Sequence, residues 1–366
     1  MSNRAVLGRV FLILIGVVWA TLAGSQPAGA DVFNMGPGLT SLETVPVGNP
    51  GNAPDMRYNL DPYYGGRPEG YGAVSYEYRI SKFELTAGQY CAFLNAVAST
   101  DTYGLYSTTM DYDESSIYWG CNIKRSGSPG SYSYSVAADW ANRPVNCVTF
   151  GDAARFCNWL TNSRPTGAQG LTTTEDGSYY LNGATQWAEL GLVVRKATAR
   201  YVMPNEDEWY KAAYYDPAKP GGAGYWDYPT RSDTAPSNVL TDPDPGNSAS
   251  FHLHPTDTIG PPYYRTEVGE FENSPSPWGT FDQGGNVCEW NEARTGDGAA
   301  RWMRGGDILF GANRLRASFR NSACSETTAA GCIGIRVAEV PEPGSVCALA
   351  AATLLMLRRR SRAMNR

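Results

Sequence analysis

Between residues 31 and 340 no stretch keeps a helical or alternating apolar period for long; glycine, proline, asparagine or aspartate breaks each one. Long periodic helices are missing, so the chain must build from short helices and strands joined by loops. Its 40 glycines and 24 prolines supply the turns, while 23 tyrosines, 11 phenylalanines and 10 tryptophans supply bulk for a core. A loop-rich domain packed largely on aromatic side chains is the expected result.

The two ends read differently. Arg4 and Arg9 flank the start of an apolar run over residues 10–22, and Ala28-Gly29-Ala30 is a small-residue cleavage pattern. This reads as a secretory signal peptide over residues 1–30, cut after Ala30, the run being too short for a membrane anchor. Near the other end, Pro341-Glu342-Pro343 leads into apolar residues 346–357, then Arg358-Arg359-Arg360 and Arg362. As a helix the apolar piece spans ~18 Å, short of a ~30 Å hydrocarbon core, with its arginines held on the cytoplasmic side. Residues 340–366 resemble a PEP-CTERM sorting tail. That resemblance implies an exosortase-type partner, transient anchoring by the tail, and a destination in the cell envelope or outside the cell.

Without these ends, 23 basic and 35 acidic residues remain of the chain's 30 and 36. A net charge of −12 leaves nothing basic to grip nucleic acid, and that class of function is set aside. An acidic, aspartate-rich exported body suits calcium.

Residues 31–72 read as an irregular lead-in, and 73–339 as one domain without internal repeats. "AVSYEYRISKFEL" alternates like a strand, and Thr86 caps a helix with inner residues Tyr90, Phe93, Leu94 and Val97. "RPVNCVTF" reads as a short strand, Gly151-Asp152 opens a helix that turns Cys157 and Leu160 inward, and "TTTEDGSYYLNG" reads as a hairpin. In "YVMPNEDEWYKAAYY" Asn205 and Glu208 form a capping box before the buried Trp209, Ala212 and Ala213. "GCIGIRVAEV" closes the domain as a strand. His252 and His254 read as exposed loop residues rather than a metal pair.

The order of these pieces resembles the successive blocks of the formylglycine-generating enzyme, or sulfatase-modifying factor, family. The blocks are "RPVNCVTFGDAARFCNWL", "YVMPNEDEWYKAAYY", "SPWGTFDQGGNVCEW", "RWMRGGD" and "GCIGIRV". The resemblance implies an α+β, C-type-lectin-like fold. It also implies where chemistry should sit: the family's oxidase holds copper with two cysteines shortly after an Arg-Gly-Gly-Ser block, and soft thiolates suit Cu(I). Here Asp307 replaces that serine, Cys288 replaces the first tryptophan of Gly-Asn-Val-Trp-Glu-Trp, and residues 307–320 contain no cysteine. Copper is therefore not expected, and no catalytic residue is assigned. Cys324 and Cys332 lie outside the matching segment, so Cys288 reads as an apolar filler without a second thiol. The seven cysteines of the body leave at least one unpaired; Cys324–Cys332 is the expected disulfide and Cys91–Cys121 a further one.

The family's structural calcium, carried over residue by residue, falls on the side chains of Asp282 and Glu289 and the carbonyls of Gly285 and Val287. All are oxygen donors that suit a hard cation. Arg304, Arg314, Arg316, Arg320 and Arg336 are expected to pair with carboxylates. The function that follows is a non-catalytic, calcium-stabilised exported domain that binds another exported protein or a glycan. The alternatives are a divergent oxidase acting on exported sulfatases and a carbohydrate-binding module.

Overall fold

The computed structural model describes residues 30–60, 66–111, 120–253, 255–296, 298–320 and 323–341. All of the expected leader but Ala30, His254, and all but residues 340 and 341 of the expected sorting tail lie outside them. Among the described residues, no helix is long and apolar enough to cross a membrane.

Two sheets organise the α+β domain. The larger has five antiparallel strands in the order Ala30–Phe33, Leu42–Val47, Tyr78–Ser81, Ala338–Glu339 and Tyr201–Val202. The first two strands correct the reading of residues 31–72 as wholly irregular. In the smaller sheet, Cys288–Arg294 lies between Arg301–Arg304, antiparallel, and Ile333–Gly334, parallel. The closing segment thus feeds both sheets, which leaves Arg336 at their junction.

Each of the three longer helices starts with a capping box. Thr86 and Gln89 open Ala87–Val97, Thr149 and Asp152 open Phe150–Thr161, and Asn205 and Glu208 open Glu206–Tyr214. Helices this short are marginal alone, so caps and packing must hold them. The packing is aromatic: Phe93 meets Phe156 at 5.3 Å and Trp159 at 5.2 Å between ring centroids. Trp290 packs edge-on to Phe150, and its indole N–H donates to the Val148 carbonyl at 2.9 Å. The expected inner faces, including Cys157 and Leu160, are all buried.

One expected strand and one expected hairpin are absent. Across "RPVNCVTF" the backbone donors go to different segments, Val145 to Leu85 and Cys147 to Ala330, so no ladder forms. Over "TTTEDGSYYLNG" the Asn158 side chain replaces a hairpin partner. It donates to the carbonyls of Thr174 and Tyr179 and accepts from the Tyr179 N–H.

Asp152 carries a measurable consequence. Burial pushes its carboxyl up to about 7, against the hydrogen bonds from Thr149 and the charge of Arg155. A carboxyl raised on folding favours the native state while protonated, and that contribution is lost as pH rises through the folded value. The protein should therefore lose about 2–3 kcal/mol through this group between pH 5 and pH 8. Asp152→Asn, which keeps an acceptor for Thr149, should remove that part of the slope when urea midpoints are compared at the two pH values.

Candidate functional site

The turn before the Cys288–Arg294 strand is tied on several sides. Asp282, Gly285 and Asn286 all have left-handed φ, at 59°, 94° and 58°. Gly285 N–H donates to the Gly305 carbonyl at 3.0 Å, which joins this turn to the Arg-Gly-Gly turn, and Asn286 N–H donates to Ser250 at 2.7 Å. Glu84 accepts from the Asn286 side chain at 3.0 Å and from Val287 N–H at 3.1 Å. Asp282 accepts from Gly269 N–H at 2.7 Å.

Successive residues of a strand face opposite ways, so Cys288 and Glu289 define two different environments. On one face Glu289 accepts from Arg336 at 2.9 and 3.0 Å and from the Trp209 indole at 2.6 Å. Both partners of the ion pair are fully buried. Arg336 also donates to the carbonyls of Ser81 and Phe281. Burial, then the charges of Asp282 and Glu289, push the Glu84 carboxyl well above its ordinary range. Burial raises Asp282 to about 6, with Gly269 and Arg336 opposing. Asp282 and Glu289 therefore share one buried region, and the structure adds Glu84 and Arg336 to it. The Arg336 guanidinium acts on all three carboxylates, and Arg265 acts on Glu84 as well.

On the other face the reading of Cys288 needs correcting. Its Sγ donates to the Cys332 carbonyl at 3.0 Å and lies 3.9 Å from Met303 Sδ. The thiols of Cys288 and Cys332 and a carboxylate oxygen of Asp307 all lie within 4.8 Å of one another. Cys288 thus has a second thiol beside it, supplied by a residue 44 positions away through the parallel pairing of Cys288 with Ile333. Contact with Cys332, then burial, raises the Cys288 thiol, while contact with Cys288 lowers Cys332 relative to an ordinary cysteine. Among the described residues this is the one set of three ligand-type side chains so close together; the carboxylates around Glu289 do not converge as tightly. All seven cysteines of the body are free thiols, so neither expected disulfide is formed.

Of the five C-terminal arginines, Arg304, Arg316 and Arg336 pair with Glu206, Asp227 and Glu289. Arg314 and Arg320 stack over Phe310 and Tyr71. His252, expected on an exposed loop, is half-exposed in a two-residue strand, His252–Leu253, that pairs with Thr256–Asp257 and brings its ring 2.7 Å from Asp257.

No curated protein matches this chain. A solved structure titled "Crystal Structure of CarF" is 19% identical with a TM-score of 0.51, covering 82% of this chain and 99% of that one. Treponema denticola variable protein 1 is 18% identical with a TM-score of 0.50, covering 86% and 100%. At these identities the likeness is one of fold. The family described as "Sulfatase-modifying factor enzyme 1-like domain" matches residues 50–340, which take in the small sheet, three of the five strands of the large one and both faces of the Cys288–Arg294 strand. The chain belongs to the sulfatase-modifying factor enzyme 1-like domain family.

Proposed function

We propose that this is an exported member of the family that has kept the scaffold without formylglycine-generating chemistry, is stabilised by calcium, and acts by binding at the cell envelope. One observation carries the reading: the segment after Gly305-Gly306, from Asp307 to Arg320, passes the site without a cysteine. A cysteine-containing sulfatase peptide, supplied with Cu(I) and oxygen, should stay unmodified by mass spectrometry. Turnover, with loss of activity in Cys288→Ser, would establish instead the second reading, a divergent oxidase. The nearness of Cys288 and Cys332 is what keeps that reading in play.

Charge supports the calcium. Glu84, Asp282, Glu289 and Arg336 together carry a net −2 when ionised, which one Ca²⁺ balances. Asp282 and Glu289 would contribute oxygens and Glu84 charge, with the carbonyls of Gly285 and Val287 completing the set; a carboxylate oxygen has lone pairs enough to serve both a guanidinium and an ion. At a hundredfold excess over its dissociation constant, calcium adds about 2.7 kcal/mol. Chelation should therefore lower Tm by roughly 5 °C. An unchanged Tm, with no metal in elemental analysis, removes calcium from the proposal.

A surface suited to binding is present. Tyr180 and Leu192 line an open groove with Gly183, Ala184 and Glu189, beside the helical turn that carries Trp187. Tyr180, Trp187 and Leu192 are each more than half exposed. Exposed rings beside a groove suit an exported protein segment or the face of a sugar. The sorting tail gives the reading its location and its exosortase-type partner.

A further inference from the structure

We propose that Cys288, Asp307 and Cys332 form a second metal site, specific for a thiophilic divalent cation of the zinc class and separate from the calcium reading. Three parts of the chain converge there: the start of the central strand of the small sheet, the residue after the Gly-Gly turn, and the residue before the parallel strand. Zinc binds thiolate sulfur at about 2.3 Å and carboxylate oxygen at about 2.0–2.2 Å, so donors around one ion stand ~4 Å apart. The three donors already lie within 4.8 Å of one another, so small side-chain rotations close the set.

The donor chemistry selects the ion. Two sulfurs exclude calcium and magnesium, which take oxygen. A carboxylate as the third donor favours Zn²⁺ over Cu(I), which prefers sulfur throughout. Enclosure assigns the role. Cys288 and Asp307 are each 1% exposed, Cys332 is half-buried, and the fourth tetrahedral position falls to a water, so the ion clamps the strand, the Gly-Gly turn and the closing segment together. The backbone is already set for this: Cys288 N–H donates to the Cys332 carbonyl at 2.8 Å, and Asp307 accepts from Leu309 N–H at 2.8 Å. Binding displaces the two thiol protons into solvent.

The full chain, reduced and freed of metal, is titrated with Co²⁺ as a spectroscopic stand-in for zinc. One equivalent should bring up thiolate-to-cobalt charge transfer and the visible bands of a tetrahedral site, and Zn²⁺ but not Ca²⁺ should erase them. Cys288→Ser and Cys332→Ser should each weaken cobalt binding more than about a hundredfold, beyond what outer contacts are worth. Cys91→Ala, remote from the cluster, should leave it unchanged. Because a serine variant can misfold, the wild-type chain is also alkylated with and without Zn²⁺. Zinc should protect Cys332, the half-buried donor, but not Cys324, which is half-buried and outside the set. The proposal fails if no cobalt band appears, if the band survives in Cys332→Ser, if only Cu(I) binds, or if the chain as isolated holds a Cys288–Cys332 disulfide and the reduced form takes up no cobalt.

Discussion

Replacing Arg336 with methionine should lower the free energy of unfolding by about 3–5 kcal/mol, the cost of breaking a buried ion pair from one side. Arg336 and Glu289 are fully buried and bonded through both carboxylate oxygens. Without the guanidinium, Glu289 keeps only the Trp209 indole, and Glu84 and Asp282 both lose a cation that offsets them. The carbonyls of Ser81 and Phe281, one on the large sheet and one on the turn, lose their donor as well. Pairing Arg336→Met with Glu289→Gln removes both charges and should recover more than half of the loss. Urea midpoints of the two single variants and the double variant give the coupling directly. If Arg336→Met costs less than about 1 kcal/mol, as a solvent-exposed pair would, the pair is not the closed contact described here. Calcium sharpens the test, because an ion bound beside Glu289 partly replaces the lost cation, so the deficit should shrink when calcium is added.

Local chemistry was readable in the chain wherever a feature is made by neighbours in sequence. Thr86 as a cap, and Asn205 with Glu208 as a box, announce their helices, and both are formed, Gln89 completing the first into a box. The buried faces followed from spacing for the same reason. What could not be read was anything made by distant partners. The strands at Ala30–Phe33 and Leu42–Val47 lie in glycine- and proline-rich surroundings and gain their ladder only from each other and from Tyr78–Ser81. Cys332 looked unrelated to Cys288 because a parallel pairing of two residues per strand leaves no periodic trace. Glu84 had a faint signal, a carboxylate between apolar neighbours just before a cap, but nothing local says that it will bond Asn286 and Val287. The same limit applies to Arg336: the family's closing block placed it in the domain, whereas its value comes from lying where two sheets meet.

Gly285→Ala should be nearly as damaging, at about 3–4 kcal/mol, for two separable reasons. A residue at φ +94° is strained with any Cβ, worth about 1–2 kcal/mol. The added Cβ would also stand 2.0 Å from the Ser250 carbonyl oxygen, and forcing atoms into a packed region costs roughly 1–3 kcal/mol more. Ser250 cannot simply retreat, because the same oxygen accepts the Asn286 N–H, and Gly285 N–H is committed to Gly305. Gly279 provides the control: its φ is +82°, and a Cβ there meets nothing within 4 Å. Gly279→Ala should show the backbone strain alone, so the gap between the two Tm values measures the close approach at Ser250. Equal Tm values would mean that the turn is not pressed against residue 250. The larger drop at Gly285 should also diminish the Tm response to chelation, because this turn carries Asp282 and Val287 toward any ion held beside Glu289.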